Sequence, residues 1–183
     1  MKYYIISGES SGDLYGSYLI DSIKKIDNNS SFYCWGGEYM QSKNVNMVRT
    51  LDKLAFMGFF EVFKNIFTVI KNLYIVKKDL GLKKPDCAIL IDYPGFNFKV
   101  AKYANRLKIP VFWFVAPQTW AWKESRVKLL KKYIDRLYVI LPFEKKYFRS
   151  KNISSKYFGH PLIDIIQDHP DSYSERKKII ALF

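Results

Sequence analysis

The chain has 183 residues, 49% of them hydrophobic and 26% charged, and a formal net charge of +13. That length suits one domain with a sizeable core rather than two full ones, and the mix is that of a soluble globular chain. No uninterrupted apolar stretch of about eighteen residues is present, which excludes a spanning helix. Met1–Ile6 is too short, before Ser7-Gly8-Glu9, for a signal peptide's apolar region, so the chain is expected in the cytoplasm.

The pattern alternates strand and helix from the start. Lys2–Ser7 is a β-branched and aromatic run that ends at a glycine turn. Ser11–Ile26 has helical spacing, with Leu14, Tyr18, Leu19, Ile23 and Ile26 on the apolar positions. Ser31–Trp35 is a second strand closed by Gly36-Gly37, and Val45–Arg49 a third. A long helical region covers Phe56–Leu80, and Pro85 stops it. Then come the apolar strand Cys87–Asp92, the helix Phe96–Leu107, the strand Val111–Val115 and the helix Trp122–Tyr133. The strand Leu137–Leu141, the helix Phe143–Ser150 and the short strand Lys156–Phe158 follow. Short apolar strands between helices predict an α/β fold, a Rossmann-like parallel sheet covered on both faces. In such sheets the ligand crevice lies beyond the carboxyl ends of the strands.

Cys34 and Cys87 lie far apart in strand-like runs, where buried free thiols are expected and no metal is predicted. Lys123–Lys151 holds ten Lys/Arg against three Asp/Glu, and Phe60–Lys84 holds six Lys against Glu61 and Asp79. Two readings of this charge stand. One is an anionic partner; the other is the drift of an AT-biased genome. Nucleic acid is the weaker partner, because the basic residues follow no known reading motif.

Three turns after strands could carry chemistry. Gly8-Glu9-Ser10-Ser11-Gly12-Asp13 follows the first strand. It is neither G-x-G-x-x-G nor a Walker A loop. It is a tight βα turn with Ser10 or Ser11 as helix cap, or a ligand turn in which Glu9 and Asp13 are surplus to capping. Ile91-Asp92-Tyr93-Pro94-Gly95-Phe96-Asn97 follows the fourth strand. An Asp at the end of a buried strand is placed to be a general base, or else to cap the next helix. Ala116-Pro117-Gln118-Thr119-Trp120-Ala121-Trp122 follows the fifth. Its two tryptophans line a sugar or acyl site, or pack under a loop. His160 is expected to be structural.

On the helical region, Phe59, Phe63, Ile66, Ile70 and Leu73 form an apolar stripe flanked by Phe60, Phe67, Val69 and Tyr74. Glu61, Lys64, Asn65, Thr68, Lys71, Asn72, Lys78 and Asp79 fall on the other side. So broad an arc is a generous core face, a partner interface, or a basic amphipathic surface seated on an anionic bilayer.

Taken in order, these segments resemble lipid-A-disaccharide synthase, an inverting GT-B glycosyltransferase family of outer-membrane biosynthesis. The resemblance runs from Ile5 to about Ile166. It is carried by Gly8–Asp13, Gly36-Gly37, Leu54–Gly58, Glu61-Val62, Lys84-Pro85-Asp86, Ile91–Asn97, Pro117 with Trp120-Ala121-Trp122, Arg126, Leu141-Pro142-Phe143-Glu144 and Gly159-His160-Pro161. It implies transfer of diacylglucosamine from its UDP donor to the 6-hydroxyl of diacylglucosamine 1-phosphate, giving a β-1,6 disaccharide and UDP without a metal or cofactor. It makes Asp92 the base and places Gly8, Glu9, Ser11, Gly12, Asp13, Met57, Gln118, Trp120, Trp122 and Arg126 about the substrates. It makes Phe59, Phe60, Phe63, Phe67 and Ile70 contacts with an anionic inner membrane.

The sequence also departs from the family. Gly95 stands where a second acid is common, and Ala116 and Gln118 replace frequent serines. The resemblance implies an acceptor-binding N-terminal domain over 1–166, followed by a polar linker at Gln167–Arg176. Ile179–Leu182 would open a second Rossmann-like domain that holds most of the donor site and lies beyond Phe183. The alternatives are an inactive truncated homologue that at most binds anionic lipid, and another GT-B transferase, such as one acting on a polyprenyl-linked sugar.

Overall fold

The structure, a computed structural model, describes residues 1–51 and 66–167. Its elements are β1 (Lys2–Ser7), α1 (Ser10–Ile26), β2 (Ser31–Gly36), α2 (Glu38–Gln41) and β3 (Asn46–Thr50). After these come α3 (Ile66–Lys83), β4 (Cys87–Ile91), α4 (Pro94–Arg106), β5 (Val111–Phe114) and α5 (Val127–Tyr133). The described chain ends with β6 (Arg136–Val139), α6 (Pro142–Ser150), β7 (Ser155–Tyr157) and α7 (Pro161–Gln167). The strands form one parallel sheet in the order β3-β2-β1-β4-β5-β6-β7. The predicted Rossmann-like α/β fold is therefore present. The order reverses between β1 and β4, and that reversal opens a crevice at their carboxyl ends.

Both faces of the central strands are covered, so these strands run continuously apolar instead of alternating. All five residues of β4 are buried. One core joins Tyr4, Ile6, Trp35, Leu90 and Trp113 to Val76 and Leu80 of α3, Ala101 and Ala104 of α4, and Phe148 of α6. The other joins Ile5, Cys34, Ile89 and Ile91 to Ile20 of α1 and Met40 of α2. Both cysteines are buried free thiols, and burial pushes Cys34 up to about 12 and Cys87 to about 11. One buried polar chain links three elements. The Trp35 indole donates to the Tyr4 hydroxyl at 2.7 Å, and that hydroxyl donates to Asp79 at 3.3 Å, tying β2 and β1 to α3.

Several elements differ from the sequence expectation. The α2 turn is an addition: four residues held by a contact from α1 that no local pattern announces. The expected helix Trp122–Tyr133 starts late. Lys123 takes the left-handed conformation (φ 56°), a 3-10 turn covers Glu124–Arg126, and α5 begins at Val127. Neither Ser10 nor Ser11 caps α1: Glu9 is the cap residue, and its side chain makes no capping bond. The Phe56–Asn65 part of the long predicted helix lies outside the described residues, as do Met57, Phe59, Phe60, Phe63 and the predicted strand Ile179–Leu182.

The described part, α3, is turned relative to the expected faces. Asn72, placed on the polar side from its spacing, is buried with Val76 and Leu80. Phe67, Ile70 and Tyr74 point outward, Phe67 being 82% exposed. Among the described residues no helix is long and apolar enough to cross a membrane.

Candidate active site

The crevice at the β1/β4 switch point is built by two turns pressed together. After β1, Ser7 is buried and its hydroxyl donates to the Glu9 carbonyl at 2.9 Å, which folds the chain sharply over Gly8. After β4, Asp92 (φ 44°) and Tyr93 (φ 49°) are both left-handed. Two such non-glycine residues in succession store strain of about 1–3 kcal/mol each, which only a surrounding structure that over-determines them can hold. Two contacts do so. The Asn97 side-chain amide donates to the Asp92 carbonyl at 2.7 Å and, more weakly, to that of Ile91 at 3.5 Å. The Tyr93 ring lies flat over Gly8, where any added Cβ would stand 2.3 Å from a ring carbon. Gly8 thus serves close approach rather than turn geometry.

This clasp sets Glu9 beside Asp92. Burial, and then the Glu9 charge, push the Asp92 carboxyl from 3.8 up to about 6, against a backbone hydrogen bond from Tyr93 that lowers it. At neutral pH Asp92 is therefore ionised yet more basic than a surface carboxylate, the state required of a general base. Val115, at the end of β5, adds a third left-handed residue (φ 59°) next to this turn, and a β-branched one. Strain thus collects at the carboxyl ends of β4 and β5.

The other predicted residues divide into groups. Glu9 and Ser11 are exposed at the crevice. Gly12 and Asp13 are buried beneath it. A Cβ at Gly12 would stand 2.4 Å from the Ser7 hydroxyl, so this glycine lets α1 lie close on β1. Asp13 accepts the backbone N–H groups of Tyr39 at 3.0 Å and Met40 at 3.1 Å, a carboxylate at the N-terminus of α2. It also lines a cleft of about 540 Å³ with Ser10, Gly37, Glu38, Tyr39 and Thr50, beyond β1–β3. Asp92 is not among the residues lining that cleft, which opens to the side of the carboxylate pair.

Gln118, Trp120 and Trp122 are exposed in the loop after β5, with Trp122 56% accessible. Lys123 Nζ stands 4.1 Å and the Arg126 guanidinium 5.5 Å from the centre of the Trp122 ring. The tryptophans therefore stand clear of the core. Sequence reasoning did not single out Tyr93, Asn97 or Glu144. All three lie in stretches it had marked, but the roles of Tyr93 and Glu144 depend on contacts between loops, and that of Asn97 on the left-handed backbone just before it. His160 accepts the Leu162 N–H at 3.2 Å and meets the Tyr15 ring edge-on at 6.4 Å, as a structural histidine.

Fold and site together define a Rossmann-like unit of the GT-B class, with its polar crevice at the strand ends. The solved structures agree on the fold. The UDP-GlcNAc 2-epimerase of Methanocaldococcus jannaschii, in complex with UDP-GlcNAc and UDP, superposes with a TM-score of 0.70 at 18% identity, over 96% of this chain and 51% of its own. MurG of Acinetobacter baumannii gives 0.53 at 12% identity, over 87% and 45%. Residues 3–182 match the family model described as Lipid-A-disaccharide synthetase, and the chain belongs to that family. Lipid-A-disaccharide synthase of Coxiella burnetii (strain Dugway 5J108-111) is 37% identical over 158 residues, 86% of this chain and 42% of the relative. That of Syntrophus aciditrophicus (strain SB) is 35% identical over 179 residues, 98% and 46%. The chain thus spans less than half the length of these curated relatives.

Proposed function

We propose that this chain forms the acceptor side of a lipid-A-disaccharide synthase. In this reading Asp92 takes the proton from the acceptor 6-hydroxyl. The freed oxygen attacks the anomeric carbon of the UDP-linked diacylglucosamine, the bond to UDP breaks with inversion, and UDP leaves. One further negative charge builds on the β-phosphate as that bond breaks, and in this reading the donor half stabilises it without a metal. The observation that carries the reading is the Asp92 turn: a carboxylate held at the switch point, raised to about 6 by burial and by Glu9. Glu9 and Ser11 face the acceptor; Gly8, Gly12 and Asp13 shape the floor beneath it. Gln118, Trp120, Trp122 and Arg126 serve the substrates from the β5 side in this reading. Residues 1–166 make up this half. The donor site belongs to chain of the length seen in the relatives, joined to this one or supplied separately.

The test is direct. The chain, covalently joined to or mixed with the C-terminal half of a family member, is given UDP-diacylglucosamine and diacylglucosamine 1-phosphate. A β-1,6-linked disaccharide 1-phosphate and free UDP are expected by mass spectrometry. UDP release without disaccharide, or no reaction, excludes the reading.

The acyl substrates reside in a bilayer, so a seat on the anionic inner-membrane surface belongs to the proposal. Phe67, Ile70 and Tyr74 stand outward on α3 at the three- and four-residue spacing of one helix face, with Lys71, Lys77 and Lys78 also exposed on the helix. Replacing Phe67 and Ile70 together by Ser is expected to weaken sedimentation with phosphatidylglycerol vesicles about tenfold, with thermal stability unchanged. Equal binding by the double variant assigns the stripe to another protein surface.

A further inference from the structure

We infer that Trp120 and Phe143 form a ledge for a lipid acyl chain, and that the buried Glu144 holds the ledge in place. The kind of ligand rests on the transferase reading above; the ledge itself rests on geometry.

Glu144 is a carboxylate only 1% exposed. Its Oε1 accepts the Trp120 indole N–H at 3.1 Å, and its Oε2 accepts the backbone N–H groups of Leu141 at 3.0 Å and Ile140 at 3.3 Å. These donors come from two loops, one after β5 and one after β6, so a single side chain joins them. Charge-assisted bonds of this kind are the strong ones, and here they fix an aromatic residue that is not in the core. Trp120 remains 40% exposed and Phe143 49% exposed, packed edge to face with ring centres 4.9 Å apart. Two large apolar side chains are thus held in water by a buried anchor, which is costly unless something covers them.

The chemistry of the exposed surface selects the ligand. The one polar atom of Trp120 is spent on Glu144, and Phe143 has none. What the pair offers outward is ring surface alone. A sugar site adds hydrogen-bond partners to its stacking surface; an alkyl chain needs only apolar area. The position suits a chain as well. The two loops follow β5 and β6, one and two strands from β4 in the sheet, or about 5–10 Å from the Asp92 turn. A chain hanging from a sugar held at Asp92 spans that distance. Lys123 and Arg126, grouped about Trp122 on the same loop, place positive charge beside the ledge for an anionic lipid.

The experiment uses the 183-residue chain carrying Trp122→Phe, in which Trp120 is the exposed indole because Trp35 and Trp113 are fully buried. The probe is a short-chain phosphatidylglycerol brominated along its acyl chains, kept below its micelle concentration. Bromines quench an indole they touch. Quenching is expected with the brominated monomer, and none with glucosamine 1-phosphate. Phe143→Ala is expected to shift the half-quenching concentration about tenfold upward. Glu144→Gln, which cannot accept from all three N–H donors, is expected to red-shift the emission and weaken quenching similarly. Should that variant fail to fold, Phe143→Ala decides, since its side chain is exposed. Equal quenching after Trp120→Phe overturns the ledge, as does quenching by vesicles of the same lipid but not by the monomer, which marks bilayer contact. A response to the sugar phosphate alone overturns the acyl assignment. Absent quenching in an enzyme that still forms disaccharide removes the ledge and leaves the transferase reading. Quenching without transfer does the reverse.

Discussion

Asp92→Asn is expected to abolish disaccharide formation and, at the same time, to raise the melting temperature. Loss of a general base removes about 10²–10⁴ in rate, and an amide of the same shape cannot take the proton. The gain in stability follows from linkage. Folding lifts the Asp92 carboxyl from 3.8 to about 6, so the folded state holds that proton more tightly than the unfolded one. The ionised carboxylate therefore costs stability above about pH 6, and the cost fades as pH falls from there toward 4. Asn carries none of it, and it tolerates the left-handed backbone at this position. At pH 7.5 a gain of roughly 1 kcal/mol, or about 2–4 °C, is expected by thermal unfolding. The advantage should vanish near pH 4. Activity of the parent enzyme should fall below about pH 6, and Glu9→Gln should move that limb to lower pH by removing a neighbouring negative charge. Retained activity in Asp92→Asn removes it as the base. A pH limb that ignores Glu9→Gln separates the two carboxylates.

The second large effect is expected at Asn97. Its amide satisfies the Asp92 carbonyl at 2.7 Å from a fully buried position. Asn97→Ala leaves that carbonyl without its partner and opens a small void, at a cost of about 1–3 kcal/mol. For a chain of this size the melting temperature should fall by several degrees, about 2–4 °C per kcal/mol. The two left-handed residues before it would then relax, so turnover in the assembled enzyme should fall further than stability explains. Circular dichroism melts and single-turnover rates measured on the same preparation separate the two losses. An unchanged melt sinks the clamp. A lowered melt with normal turnover keeps the clamp and detaches it from Asp92.

How far the sequence was legible depends on what each feature is made of. Cys87–Ile91 is five apolar residues behind a proline, and such a run is a buried strand almost wherever it occurs. The turn after it could be located from the same signal, and Asp92 with it. The boundary errors have local causes. Lys123 turns left-handed and delays α5, although its neighbours have helical spacing. On α3, spacing identified an amphipathic helix but assigned Asn72 to the wrong face. A broad aromatic arc has no sharp direction, and the core it meets, Tyr4 and Trp35, lies far away in the chain.

The glycine-rich turn after β1 shows the same divide. As sequence, Gly8–Asp13 is a polar loop with two surplus acids. In three dimensions the two acids part company: Glu9 faces Asp92, while Asp13 is buried under α2. Gly8 is required because a tyrosine from 85 residues further on lies across it.

The sequence by itself determined the strand–helix alternation, the parallel sheet, the family and the turns that carry Asp92 and Glu9. Those follow from periodicity and from short contiguous motifs, which burial imposes along a single element. Only the tertiary structure decided that Tyr93 covers Gly8, that Asn97 holds the Asp92 turn, that Asp13 serves α2, and that Glu144 fixes Trp120. The Asn97 bond is local but depends on the left-handed backbone at Asp92 and Tyr93; the other three join separate segments, which packing across the whole chain makes neighbours.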